Sequence, residues 1–370
     1  MITIAEQQAR AMLPQFALEE EYTDIREARE LTEGHINSTY YVEAQGAAGP
    51  RGYILQKINT YVFRRPEELM ANIVGVTEYI RERLAAGEAR GQSTLHVYPA
   101  KDGNPWYQDE QGGYWRCYNF VANSYSLQAA AGPQEARRAA YAFGTFQRML
   151  DGFPIERLHE TIPDFHNTKK RYEALEAAVA EDRAGRRAEV EDEIAFARAR
   201  KGDCLLLPPL VAAGSIPLRV THNDTKLNNV LFDRDTHEAV CVVDLDTIMP
   251  GLSLYDFGDS LRFLGNTAAE DERDLSNVDF SLPLFEAYTK GYLAACGAAL
   301  TPDEIRLLPF SVKLMTYECG MRFLTDYLNG DVYFRIHRPD DNLARCRTQF
   351  ALVRRIEALL PEMERIVAQN

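Results

Sequence analysis

The chain has 370 residues, room for two lobes around a cleft, and 46% of them are hydrophobic, as in proteins that bury a real core. A formal net charge of −14 without any Lys/Arg block argues against nucleic acid or an anionic membrane as partner. Six scattered cysteines without a C-x-x-C pair, an N-terminus unlike a signal peptide, and an apolar stretch (204–218) broken by three prolines imply a cytoplasmic protein with buried, reduced thiols.

The predicted elements begin with a helix over 4–16, followed by a small antiparallel sheet between 28 and 58. Its strands are 28–31, 39–43 and 53–58, with a turn at Glu33-Gly34-His35-Ile36-Asn37. Pro66 opens a helix over 67–86 with apolar residues at Leu69, Ile73, Val76, Ile80 and Leu84. Strands at 95–98, 105–107 and 114–121 follow, separated by Asp/Gly/Asn turns. Past residue 121 the character turns helical: 134–150, charged helices within 167–202, then 285–295, 311–328 and 343–367. The reading is α+β, with a strand-rich lobe over 1–121 and a larger helical lobe over 122–370, interrupted once by a hairpin.

That hairpin carries the chemistry. His222-Asn223-Asp224-Thr225-Lys226-Leu227-Asn228-Asn229 leads into Val230-Leu231-Phe232; a polar turn follows, and then 239–243 and Asp244-Leu245-Asp246. Antiparallel pairing sets the start of the first strand beside the end of the second, so Asn229 and Asp244 become neighbours. Phosphoryl transfer to a hydroxyl asks for a carboxylate that orients the nucleophile and for oxygen ligands that hold Mg²⁺ on the phosphates. The kinase catalytic loop spaces these as D-x-x-x-x-N, matched by Asp224 and Asn229. Asp224 is therefore read as the base, Asn229 and Asp244 as Mg²⁺ ligands, and His222 as a structural histidine that fixes the loop.

Rival readings fare worse. Asp224, Asn228 and Asn229 as plain turn residues would leave the whole pattern to chance. A hydrophobic strand ending in D-x-D also suits metal-dependent glycosyltransferases, which need an alternating β/α N-terminal half that is absent. The phosphatase pattern D-x-D-x-[TV] wants Thr or Val where this chain has Ile248. Asp246 stays open between a second ligand and a turn residue.

These residues resemble the aminoglycoside-phosphotransferase-like kinases and, more narrowly, the N-acetylhexosamine 1-kinases. The resemblance runs through residues 222–229, with Asn223 where the family has Gly, and through 244–251 and 256–263. It extends to Glu33-Gly34-His35-Ile36-Asn37-Ser38-Thr39-Tyr40 and Leu55-Gln56-Lys57-Ile58-Asn59. It implies a protein-kinase-like two-lobed fold using ATP and Mg²⁺. Gly34, Asn37 and Thr39 would form the phosphate-covering turn, and Lys57 would reach the α/β-phosphates with Glu68 or Glu78 as its partner. Asn119 and Val121 would frame the adenine hinge. His35, Asp224, Phe263, Arg322 and Tyr333 would hold the sugar, while Asp256 and Asp259 anchor the catalytic loop.

The function expected is ATP-dependent phosphorylation of the anomeric hydroxyl of an N-acetylhexosamine. The alternatives are another small hydroxyl substrate (choline, homoserine, an aminoglycoside or a different sugar) and a non-catalytic pseudokinase. Monomer and homodimer are both compatible with the sequence.

Overall fold

The structure is a computed structural model that describes residues 3–32 and 36–370. Gly34 and His35, both expected at the site, lie outside the described residues. In chain order the elements are α1 (Ile4–Met12), β1 (Tyr22–Leu31), β2 (Ser38–Gly46), β3 (Gly49–Lys57), α2 (Pro66–Ala85), β4 (Val97–Tyr98), β5 (Tyr107–Gln108), β6 (Tyr114–Asn119) and β7 (Ser124–Tyr125). They continue with α3 (Pro133–Met149), α4 (Thr168–Glu181), α5 (Glu191–Ala199), α6 (Leu207–Ala212), β8 (Arg219–Thr221), β9 (Val230–Asp233), β10 (Ala239–Val242) and β11 (Met249–Gly251). The chain ends with α7 (Ser253–Leu264), α8 (Leu282–Cys296), α9 (Pro302–Asn329) and α10 (Asp341–Ala368). An antiparallel-sheet region and a larger helical part give the α+β class expected.

By contacts the chain divides into two units, one of residues 1–126, 152–162 and 230–249 and one of 127–151, 163–229 and 250–370. In the first, strands run in the order β1-β2-β3-β6-β4, with β5 also on β6. Side chains alternate across the pleat. One face packs Tyr40, Val42, Tyr53, Leu55, Trp115 and Cys117 against Ala9 and Leu13 from the N-terminal helical segment. The opposite set includes Thr39, Gln56 and Arg116, which the register places side by side on β2, β3 and β6.

The β9–β10 hairpin joins this unit for physical reasons. Tyr125 of β7 pairs with Phe232, and the Ser93 N–H and Gln92 amide donate to Val240 O (2.7 Å) and Ala239 O (2.6 Å). Helix α2 starts at Pro66, as its fixed φ favours, and buries Leu69, Ile73, Val76 and Ile80. Its Asn72 accepts from the His159 N–H (2.8 Å) and donates to Ile248 O (2.9 Å), tying the segment after β10 to the helix.

The helical unit is built on close helix contacts. A Cβ on Gly144 of α3 would come within 2.9 Å of Tyr292 O, and one on Gly291 of α8 within 2.3 Å of Arg137 O. Only glycine allows the two backbones this approach. Helix α9 opens with Pro302 behind a Thr301–Glu304 capping box and closes at Gly330 in the left-handed region.

Several boundaries differ from the sequence reading. Strand β1 begins at Tyr22, not 28: it pairs with β2 from Tyr22 to Leu31, and its exposed polar residues carry no alternation that marks the first half in the sequence. The 167–202 region holds helices as expected, α4 and α5, separated where Asp182 turns left-handed (φ +43°). Within the proline-broken 204–218 stretch sits α6.

Candidate active site

In the helical unit, Asp224 stands in the loop between β8 and the turn at 227–229. Strand β8 is anchored by Arg219, whose guanidinium pairs with Glu304 (2.7 Å) and Asp151 (3.0 Å). His222 is fully buried, with the rings of Phe143 and Phe146 edge-on at 5.8 and 6.0 Å, and its Nδ1 accepts from the Asp224 N–H (3.3 Å). Asn223 adopts φ +63°, a conformation that Gly adopts freely and Asn tolerates better than most residues. That is the physical reason why Asn serves where the family pattern has Gly.

The loop backbone hangs on α7. The Asp256 carboxylate accepts from the N–H groups of His222 (2.9 Å) and Asn223 (2.7 Å), and Thr225 donates to Asp256 O (2.7 Å). Ser260 donates to Thr225 O (2.8 Å) and accepts from the Tyr288 hydroxyl (2.6 Å). Burial pushes the Asp256 carboxyl above its ordinary range, against the opposing pull of His222 and of these two N–H bonds. The sequence reading missed His166, which bridges Asn223 O (3.3 Å) and the buried Glu318 of α9 (2.8 Å). Burial favours neutral Glu318, but His166, the Thr168 hydroxyl and Arg322 hold its carboxyl below the usual range. No local motif marks His166; its partners lie 57 and 152 positions away.

Asp224 itself is partly exposed. Its Oδ1 pairs with Lys226 Nζ (2.9 Å), and Asn229 Nδ2 donates to its main-chain O (2.8 Å). Lys226 was also missed, although a lysine two positions past the candidate base is legible as a local charge partner. Despite partial burial, the Asp224 and Asp259 carboxylates hold the Lys226 ammonium above its ordinary pKa. Lys226 Nζ lies 5.5 Å from the Phe263 ring, and Arg262, pinned by Asp259 (2.9 Å), lies 4.0 Å from the same ring. Asp224, Lys226 and Phe263 are thus one cluster.

Arg322 and Tyr333 form a second. The Arg322 guanidinium sits 5.7, 5.9 and 5.4 Å from the rings of Phe165, Tyr333 and Phe334. Tyr333 is set by Asp326, whose carboxylate accepts from the N–H groups of residues 332–334 at 2.8–2.9 Å. Glu318 and Phe165 link this cluster to His166, and so to the loop.

In the sheet unit, the register pairs Val230 with Val242, so Asp244 follows the hairpin end at which β9 begins. Asp244 is left-handed (φ +60°) ahead of a short turn at Leu245–Thr247. Asn37 and Thr39 lie on the way into and on β2. The Asn37 amide accepts from the Asn59 N–H (2.9 Å) and donates to Asp246 (2.5 Å), and Thr39 accepts from Gln56 (2.9 Å). Asn119 closes β6 with its Oδ1 on the His96 N–H (2.6 Å), and Val121 O accepts from Ser124 (2.7 Å).

Lys57 lies elsewhere. It shares the sheet face of Leu55 and Trp115, pairs with Asp109 (3.1 Å) and sits 5.4 Å from the Trp115 ring. Asp109 also accepts from Trp115 Nε1 (2.7 Å). Neither glutamate weighed for Lys57 is its partner: Glu68 pairs with Arg65 and Glu78 with Arg81. The alternation of β3 decides this, because the face beside Asn37 and Thr39 carries Gln56 instead.

Among the described residues no helix is long and apolar enough to cross a membrane, and no three His, Cys, Asp or Glu cluster as a metal site.

Comparison with solved structures finds the same fold. An aminoglycoside phosphotransferase from Alicyclobacillus acidocaldarius is 13% identical over 98% of this chain and 96% of its own, with a TM-score of 0.61. A microcompartment-associated aminopropanol kinase is 16% identical over 97% and 98%, with a TM-score of 0.55. A choline kinase from Cryptosporidium parvum is 11% identical over 96% of each chain, also at 0.55. Residues 27–294 match the family described as the phosphotransferase enzyme family. With a catalytic-loop pattern at 222–229 and a family match over most of its length, the chain belongs to the phosphotransferase enzyme family.

Proposed function

We propose that this phosphotransferase uses ATP and Mg²⁺ to phosphorylate the anomeric hydroxyl of a neutral sugar, an N-acetylhexosamine. The observation that carries the choice of acceptor is the cationic dressing of the aromatic side chains in the Asp224 cluster and in the Arg322 cluster. Lys226 and Arg262 flank the Phe263 ring, and Arg322 lies among Phe165, Tyr333 and Phe334. Rings already facing cations offer little to choline or a polycationic aminoglycoside. They suit a sugar, whose C–H face packs on Phe263 while Arg322 and Tyr333 bond hydroxyl and amide oxygens. The N-acetylhexosamine 1-kinase resemblance through residues 222–263 supports the same acceptor.

Asp224 is the base. Its carboxylate orients the anomeric O–H and takes the proton late, a role that supplies roughly 10²–10⁴-fold in such sites. Lys226 restrains that carboxylate at Oδ1. The donor set fits Mg²⁺, which keeps waters and takes one or two protein oxygens beside phosphates; Asn229 and Asp244 offer an amide and a carboxylate. When bound, the ion neutralises charge developing on the phosphates. Asn37, Thr39, Asn119 and Val121 are assigned to the nucleotide, with Gly34 in the covering turn and His35 at the sugar. Lys57 is the sequence's candidate for the phosphates, although its side chain lies on the α1 face of the sheet.

ADP release measured across N-acetylglucosamine, N-acetylgalactosamine, choline, homoserine and an aminoglycoside tests the reading. Release stimulated by the N-acetylhexosamines is expected; stimulation by the cationic acceptors alone would reject it.

A further inference from the structure

Two residues of the sheet unit have no part in the reading above: Arg116, buried on β6, and Asp246, the second carboxylate past the hairpin. With three neighbours they form a ring of five side chains. Gln56 Nε2 donates to Thr39 Oγ1 (2.9 Å), and Gln56 Oε1 accepts from Arg116 Nε (2.9 Å) and Nη2 (2.7 Å). Arg116 Nη1 pairs with Asp246 Oδ1 (2.5 Å), and Asp246 Oδ2 accepts from Asn37 Nδ2 (2.5 Å). Asn37 leads back to Thr39 along the chain. The Arg116 and Asp246 side chains are 1% and 4% exposed.

We propose that Asp246 is the counter-ion of Arg116 and not a metal ligand, and that this ring is a positioning device that holds Asp244 in the conformation from which it binds Mg²⁺. The inference rests on the reading of Asp244 as a ligand. Asp246 Oδ2 accepts from Asn37, and Oδ1, without a hydrogen bond among the described residues, lies in ion-pair contact with Arg116; to ligate a hydrated ion the carboxylate would have to leave a desolvated arginine alone. Asp244 needs such support: a non-glycine residue at φ +60° persists where its surroundings over-determine it. Here the segment is held by the Asp246 carboxylate in the ring and by Ile248 O on Asn72, among other contacts. Arg116 is further held by Met70 Sδ of α2 (3.9 Å). The carboxylates of Asp246 and Asp244 both face its charge, and against the opposing effect of burial they keep the guanidinium above its ordinary value. Lys57 cannot replace it, being engaged with Asp109 on the other face. The ring also joins the turn before β2 to the Asp244 segment through Asn37, so a single network sets both.

Calorimetric titration with ADP, with Mg²⁺ and with EDTA, tests this in the intact protein. The quantity read is the Mg²⁺-dependent gain in ADP affinity, which a loss of general packing would not single out. Arg116→Met and Asp246→Asn should each reduce that gain about tenfold, as supporting partners of a metal ligand do. The double variant should be no worse than either single, since both break one device, and metal-free ADP affinity should hold. Additive losses, or a gain lost in Asp246→Asn and kept in Arg116→Met, would overturn the proposal. Asn37→Ala leaves no charge buried alone and serves if Arg116→Met does not fold. It should lower the gain in the same direction, and an unchanged gain counts against the ring. Asp244→Asn separates the two ideas: if it keeps the full gain, the metal reading fails, not the ring.

Discussion

The loop around Asp224 and the segment around Asp244 are held by different means. In the first, the main chain does the work: N–H groups of His222 and Asn223 converge on Asp256, and Asn223 O meets His166. In the second, a ring of side chains whose central pair is a desolvated arginine and carboxylate acts beside the bond from Asn72 to Ile248 O. A loop held by its backbone tolerates changed side chains as long as the φ/ψ values survive. A segment held by side chains loses its geometry when one member changes. The two regions should therefore answer mutation differently.

The largest effect belongs to Asp224, whose replacement by Asn removes the proposed base and leaves the loop's backbone anchors in place. Turnover should fall about 10³-fold with nucleotide affinity retained, measured by single-turnover kinetics and calorimetry. Next comes the ring. Arg116→Met strands a buried carboxylate and should cost about 3–5 kcal/mol of stability in urea unfolding, whereas the double variant Arg116→Met/Asp246→Leu, which removes both charges, should cost far less. Equal costs would erase the contrast between the regions.

Replacing Phe263 by Leu or Arg322 by Gln should raise the KM for the acceptor about tenfold, a change worth about 1.4 kcal/mol, without raising that for ATP. A matching rise in both would place these residues in general folding and not in acceptor binding.

Glu318, which supports the loop through His166, gives a pH signature. Its folded carboxyl lies below the ordinary value of 4.5 because of His166, Thr168 and Arg322, burial notwithstanding. Its stabilisation is therefore present above the unfolded value and is lost as pH falls through the folded one. Unfolding midpoints of the native chain should drop more steeply as pH falls below about 4.5 than those of Glu318→Gln. The smallest effect is expected at Asn223: Gly suits φ +63° and should leave activity near the native level, while Ala, forced left-handed, should cost roughly 1–2 kcal/mol.

How much of this was legible follows from what sequence encodes locally. Strands with apolar alternation and helices opened by prolines stood out, and so did the spacing of Asp224 and Asn229, because each is a short-range pattern. Strand β1 was half read, since its polar residues hide the period. The role of Asn223 could be noted but not explained until its left-handed backbone was seen. Lys57 and Gln56 are neighbours in sequence on opposite faces of β3, and only the register with β6 tells which one meets Arg116. His166, Glu318 and the Arg116–Asp246 pair join residues more than 50 positions apart, beyond the reach of any motif.

The most direct test follows phosphate itself. Native enzyme and Asp224→Asn are incubated with MgATP and N-acetylglucosamine or N-acetylgalactosamine, and products are read by ³¹P NMR. ADP together with a sugar 1-phosphate is expected from the native enzyme, and about 10³-fold less of both from the variant in the same time. Phosphate on another hydroxyl, no sugar phosphate from the native enzyme, or native turnover in Asp224→Asn would contradict the proposed function.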